Sequence, residues 1–143
     1  MKSLLKTALI FLFIACNFTA CITRQEGWAY FDTRYYDIRQ WALAANGRYF
    51  FAEVDAPAIT SNVFSNGVVV GYLVENLAHR EVHIPLPYEM FHNETDNYGN
   101  TTSWTETVSF DIVPGRITFY YEPSDFFTGD IPPACMFKIV AMW

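Results

Sequence analysis

Val68-Val69-Val70-Gly71-Tyr72-Leu73-Val74 is the stretch that decides the fold class. β-branched and aromatic side chains surround a single glycine, a mix that fits a pleated strand better than a helix. Both alternating sets are apolar, so this strand is expected at a central position. Just before it, Ile59 to Gly67 reads differently. Thr60 or Ser61 can cap a helix, Ile59, Val63 and Phe64 lie at helical spacing, and Asn66-Gly67 can supply a left-handed stop. One short helical turn is expected there.

Further upstream, Trp28–Asp32 is a candidate first strand, and a second lies within Tyr35–Ala44. Asn46-Gly47 is a hairpin turn signal joining residues 41–45 to residues 48–54. In the latter, Phe50, Ala52 and Val54 share one face. Downstream, Arg80–Ile84 runs into Pro85-Leu86-Pro87, which marks a strand exit or an edge. Residues 92–102 read as a polar loop tip. Val108, Phe110 and Ile112 then share a face, Pro114-Gly115 is a turn, and Ile117, Phe119 and Tyr121 share a face. Residues 122–134 are a proline-containing loop. Met136–Met142 is the last strand, with Phe137, Ile139 and Ala141 inward and Lys138 outward. The expected fold is all-β: an antiparallel β-sandwich, Ig-like or related, of about seven to eight strands with one short helical turn.

Composition agrees. After position 20, Phe, Tyr, Trp, Val, Ile and Thr supply 51 of 123 residues, against 4 Leu and 1 Lys. The formal net charge of the whole chain is −6. An acidic balance without Lys/Arg clusters argues against nucleic acid as a partner.

The first twenty residues belong to targeting. Lys2 and Lys6 precede the apolar run Thr7–Cys16, the pattern of a secretory signal, and that run is shorter than a bilayer span. Phe13-Ile14-Ala15-Cys16 and Phe18-Thr19-Ala20-Cys21 both resemble a bacterial lipobox. Cys21 is the preferred lipidation site and Cys16 the alternative. The domain reading is a lipoprotein signal peptide over 1–20, a short tether over 21–27 and one β-sandwich domain over 28–143. Removing residues 1–20 takes Lys2 and Lys6 with it, leaving 7 basic against 15 acidic residues and a net charge of −8. With Cys21 acylated, Cys135 has no disulfide partner.

In order along the chain stand Cys21, Trp28, Ile59-Thr60, Gly67, Val68 to Tyr72, Leu86-Pro87-Tyr88, Gly115 to Tyr121, Ser124-Asp125 and Lys138-Ile139-Val140. In this order the chain resembles a set of small uncharacterised lipoproteins from Bacteroidota. It departs from them just after the lipidated cysteine, where some relatives carry Gly-rich collagen-like triplets. The resemblance implies a lipid-anchored β-sandwich and brings no activity with it.

Chemistry-bearing motifs are sparse. His79, Glu81 and His83 alternate, but the two histidines stand about 13 Å apart on a strand, too far to share a metal without a bend. His92 lies in the polar stretch. Asp125 and Asp130 fall in one loop, and Glu94 and Asp96 in another, without the ligand cadence of a calcium loop. Ser124-Asp125 reads as a turn. No nucleophile elbow or phosphate loop is present, and Cys135 reads as a small packed hydrophobe. No catalytic residue, metal ligand or cofactor is therefore assigned. The remaining resource is aromatic: Trp28, Trp41, Trp104 and Trp143, with Tyr35, Tyr36 and Tyr98.

The expected function is a non-enzymatic, lipid-anchored cell-envelope protein at the outer membrane, serving as a binding or structural module. Its expected partners are the membrane and, through its aromatics, envelope proteins or glycans. The alternatives are a glycan-binding accessory module of a polysaccharide-capture system and a small envelope hydrolase working through loop carboxylates.

Overall fold

A computed structural model describes residues 30–143. The expected signal peptide and tether, with Cys16, Cys21 and Trp28, lie outside the described residues. Among the described residues, nine strands form two antiparallel sheets and one helix accompanies them, the all-β sandwich expected from the strand pattern. The strands are β1 (Phe31–Ile38), β2 (Ala42–Leu43), β3 (Phe50–Ala56), β4 (Val68–Leu77), β5 (Arg80–Pro85), β6 (Tyr88–Thr95), β7 (Thr101–Val113), β8 (Gly115–Pro123) and β9 (Cys135–Met142). Helix α1 spans Ser61–Asn66. One sheet runs β1-β9-β4-β5 and the other β2-β3-β8-β7-β6.

β4 sits inside its sheet, paired with β9 on one side and β5 on the other. Its inner face carries Gly71 and the buried Leu73. A Cβ on Gly71 would stand 2.5 Å from the Phe110 ring of the opposite sheet. The glycine is there because two sheets approach closely, not because the strand bends. The core is centred where the sheets meet. Phe119 of β8 and Phe137 of β9, both fully buried, stack with ring centroids 4.1 Å apart. Ile117 and Tyr121 flank Phe119, and Ile139 and Ala141 follow Phe137, as the period-2 pattern requires.

Several local readings change. β1 is one strand where the sequence suggests two, running antiparallel to β9 from Phe31↔Met142 to Ile38↔Cys135. The 92–102 stretch is mostly paired. β6 and β7 are in register from Tyr88↔Val108 to Thr95↔Thr101, leaving only residues 96–100 as the tip. Polar residues occupy strands here because β6 is an edge and this end of the hairpin is open to solvent. The two-residue β2 is the short arm of the hairpin expected over residues 41–54, and the strand added to the expected set is β6. Pro85 and Pro87 lie where the chain leaves the edge strand β5 and enters the edge strand β6 of the other sheet.

Helix α1 forms as expected, with Thr60 Oγ1 accepting from Val63 N at 3.2 Å. Its stop is different. Gly67 has φ −93° and is extended, not left-handed. Glycine is needed there for space: a Cβ would lie 2.7 Å from the carbonyl oxygens of both Met142 and Val63.

Candidate functional site

The inner face of β7 does not stay apolar. Val108 is fully buried, but the next two positions on that face toward the start of the strand are Glu106 and Trp104, both half-buried. β7 has 13 residues and β9 has 8, so the inner face of the five-stranded sheet extends past the core. In register beside it stand His92 opposite Trp104, Glu94 opposite Thr102, and Tyr121 opposite Val108. The β8–β9 loop closes over this overhang. The result is a cleft of about 360 Å³ with Trp104, Glu106, Tyr121 and Phe50 on the sheet side and Asp125, Phe127 and Asp130 on the loop side.

Glu106 is the hub. Its Oε2 accepts a hydrogen bond from the Tyr121 hydroxyl. His92 Nε2 lies 2.9 Å from the same oxygen, out of line for a hydrogen bond, and this buried nitrogen has no other partner. The His92 ring stacks on Trp104 at 5.3 Å and 14°. Burial, and then the bond to Glu106, push the Tyr121 phenol far above its ordinary value. Tyr121 also meets Trp41 edge-on at 6.0 Å.

The loop wall is pinned along its length. Ser124 N donates to Thr105 O at 2.8 Å, and Ser124 Oγ accepts from Thr105 N at 2.9 Å. Asp125 Oδ1 accepts from Phe127 N at 3.0 Å, the turn read from Ser124-Asp125. Phe126 takes a left-handed φ of 59° and lies 4.9 Å beneath the Arg48 guanidinium. Thr128 Oγ1 donates to Gly47 O at 3.0 Å, and Trp41 Nε1 donates to Pro133 O at 3.0 Å. Such a wall is largely pre-formed, which lowers the ordering cost of a ligand.

Four carboxylates line the cleft (Glu94, Glu106, Asp125 and Asp130), and no Lys or Arg does among the described residues. Three of the four were singled out in the sequence, but as members of two separate loops. The structure brings them together and adds Glu106. The missed signal was available, since Trp104 and Glu106 continue the period-2 face of Val108, Phe110 and Ile112, and a carboxylate on a core-facing register invites a reason.

Other candidates go elsewhere. Asp96 caps the hairpin tip, accepting from Tyr98 N, Asn100 N and Asn100 Nδ2, and these bonds lower its pKa. His83 Nε2 is 2.6 Å from Glu81 Oε1 on an exposed strand face. His79 is in the turn, where it and Ala78 have φ of 67° and 48°, so it does not join His83. Among the described residues no group of three or more His, Cys, Asp or Glu converges as a metal site. Cys135 is half-buried and free, its pKa pushed up to about 11 by burial and by Glu75. Tyr36 packs on Phe119. Tyr35 lies 5.7 Å beneath the Lys138 ammonium, and Tyr98 is 91% exposed at the hairpin tip. No helix of the described residues is long and apolar enough to cross a membrane.

Fold and site together define an antiparallel β-sandwich carrying an acidic, aromatic-walled cleft at one end. No known protein family, curated protein or solved structure matches the chain.

Proposed function

We propose that this chain is a lipid-anchored binding module of the cell envelope, held at the outer membrane through Cys21, and that the cleft is where it binds. The observation that carries this reading is the cleft itself, with aromatic faces and carboxylates converging on one pre-formed hollow. Glu106 Oε2 accepts from Tyr121 and faces His92, so it orients these side chains at the floor of the cleft.

The lining sets the ligand chemistry. Trp104 and Phe127 offer apolar faces of the kind sugars stack on, and the carboxylates accept hydrogen bonds from hydroxyl or amino groups. Four acidic side chains repel uronic or sulfated sugars. The class supported is therefore a neutral or amino sugar of an envelope or captured glycan. Calorimetry against neutral, amino and acidic oligosaccharides tests it. Binding confined to the first two classes, and lost in Trp104→Ala, supports the reading. Equal binding of acidic sugars, or none of any class, ends it. The anchor is tested separately by metabolic labelling with a fatty acid. Loss of label in Cys21→Ala supports Cys21, loss only in Cys16→Ala moves the site, and no label in the wild type removes the anchor.

A further inference from the structure

The end of the sandwich opposite the cleft carries a different surface. There the chain enters the described fold at Tyr30, pairing with Trp143 through reciprocal backbone hydrogen bonds of 3.0 Å, and the two rings stack at 6.2 Å. The next row of the sheet is Phe31, Met142 and Val68, in direct register across β1, β9 and β4 and so on one face. That is the outer face, because Ala141 beside Met142 points into the core. Tyr30 is 65% exposed, Phe31 73% and Val68 58%. Phe64, also exposed, adds to it from α1, whose following Gly67 abuts the Met142 carbonyl.

Among the described residues that form this rim, the Tyr30 phenol is the one ionisable side chain. The nearest charges along the chain, Asp32 and Arg34, neutralise each other at 2.8 Å. The middle of the same outer face differs, carrying Lys138, Asp37 and His83. By strand alternation the Tyr30–Trp143 pair lies on the face opposite Phe31, Met142 and Val68, so the two uncharged groups adjoin only at the strand ends; Trp and Tyr rings in such a place match the chemistry of the bilayer interface, where they sit at headgroup level. A soluble surface normally breaks up such clusters.

We propose that this rim rests on the lipid surface to which the chain is anchored, and so holds the cleft pointing away from it. The proposal rests on the lipid-anchor reading. Its occupant follows from where the chain comes in. Tyr30 stands nine positions after Cys21, a reach of at most about 30 Å. An acylated Cys21 therefore joins the bilayer to this end of the sandwich directly, with the cleft at the far end of the strands. Along β9, Met142 at the rim and Cys135 toward the cleft are the two ends of an eight-residue strand, about 23 Å apart at strand rise.

The test uses the full acylated chain in phosphatidylcholine–phosphatidylglycerol vesicles whose acyl chains carry bromine, a short-range quencher of tryptophan. Trp143→Phe is expected to remove a bromolipid-quenched component of the emission, and Trp104→Phe to leave it in place. Phe31→Ser, a change at a mostly exposed position that folding tolerates, is expected to lower the Trp143 quenching to the level seen for Trp104. If Trp143 is instead quenched by iodide in the water and not by bromolipid, the rim faces solvent and the proposal fails. If neither quencher reaches it, protein covers the rim, a second copy or the chain's own upstream segment, and the proposal also fails. Fatty-acid labelling of the same sample separates the two readings. Absence of label overturns the anchor and the seating with it, whereas label without bromolipid quenching overturns the seating alone.

Discussion

The two ends of this sandwich use similar aromatic side chains toward opposite ends of function. At the cleft end, Trp104, Tyr121 and Phe127 stand among four carboxylates. At the entry end, Tyr30, Phe31 and Trp143 stand with Met142 and Val68 and no charged neighbour in the row. Aromatic content alone says little about use. Neighbouring charge decides whether a ring becomes the wall of a polar-ligand cleft or part of an apolar face, because each carboxylate near a ring keeps water and hydrogen-bonding ligands close and lipid away.

The comparison holds only while the shared core keeps both ends in place. Phe137→Ala removes half of the central stack and is expected to lower stability by about 3–5 kcal/mol, read in urea unfolding. Both ends should then lose order together. If iodide quenching changes at Trp104 but not at Trp143, the ends are separate units and the comparison breaks.

Glu106→Gln acts on the cleft end alone. It removes the charge that the Tyr121 hydroxyl donates to and that faces His92, with an expected cost of about 1–2 kcal/mol. The rim emission should not change. The pH dependence has a definite sign. Tyr121 and Tyr120 both have raised phenol pKa values, Tyr120 to about 12 through its bond to Asp111. Groups raised in the folded state stabilise it fully below their unfolded value near 10 and lose that contribution as pH climbs through the folded value. Wild type should therefore weaken above pH 10, and Glu106→Gln should show a lower alkaline midpoint for Tyr121 in a phenolate absorbance titration.

Thr60→Ala is the matching probe of the entry end. It deletes the cap of α1 at an expected cost of about 1 kcal/mol, and it should leave ligand binding in the cleft intact. Relief of turn strain is expected to be similar or smaller. His79→Gly places glycine at a φ of 67° and should stabilise by about 0.5–1 kcal/mol. The smallest effect is chemical. Cys135, its thiol pushed up to about 11, should be alkylated at pH 8 much more slowly in the native chain than in urea, followed by the mass of its peptide. Fast native labelling would mean that the start of β9, behind the cleft, opens readily.

Much of the fold was legible along the chain because strand faces repeat every second residue. The buried sets Ile117/Phe119/Tyr121 and Phe137/Ile139/Ala141 are where the alternation places them, and Thr60 caps α1. The misreadings share a cause. His92 to Thr95 looks like a loop because its side chains are polar, yet edge strands at an open end have no core to face. Gly67 and Gly71 look like conformational glycines, yet both answer to atoms far away in sequence, the Met142 carbonyl and the Phe110 ring.

By itself the sequence determined the strand class, the buried face of each core strand and an acidic, lysine-poor body with surplus aromatics, because these depend on local periodicity and composition. Only the tertiary structure decided that Glu94, Glu106, Asp125 and Asp130 share one cleft and that Phe31, Val68 and Met142 share one row. Those groupings come from register between strands and from which sheet each strand joins. Both are set by contacts between residues far apart along the chain, which no local pattern encodes.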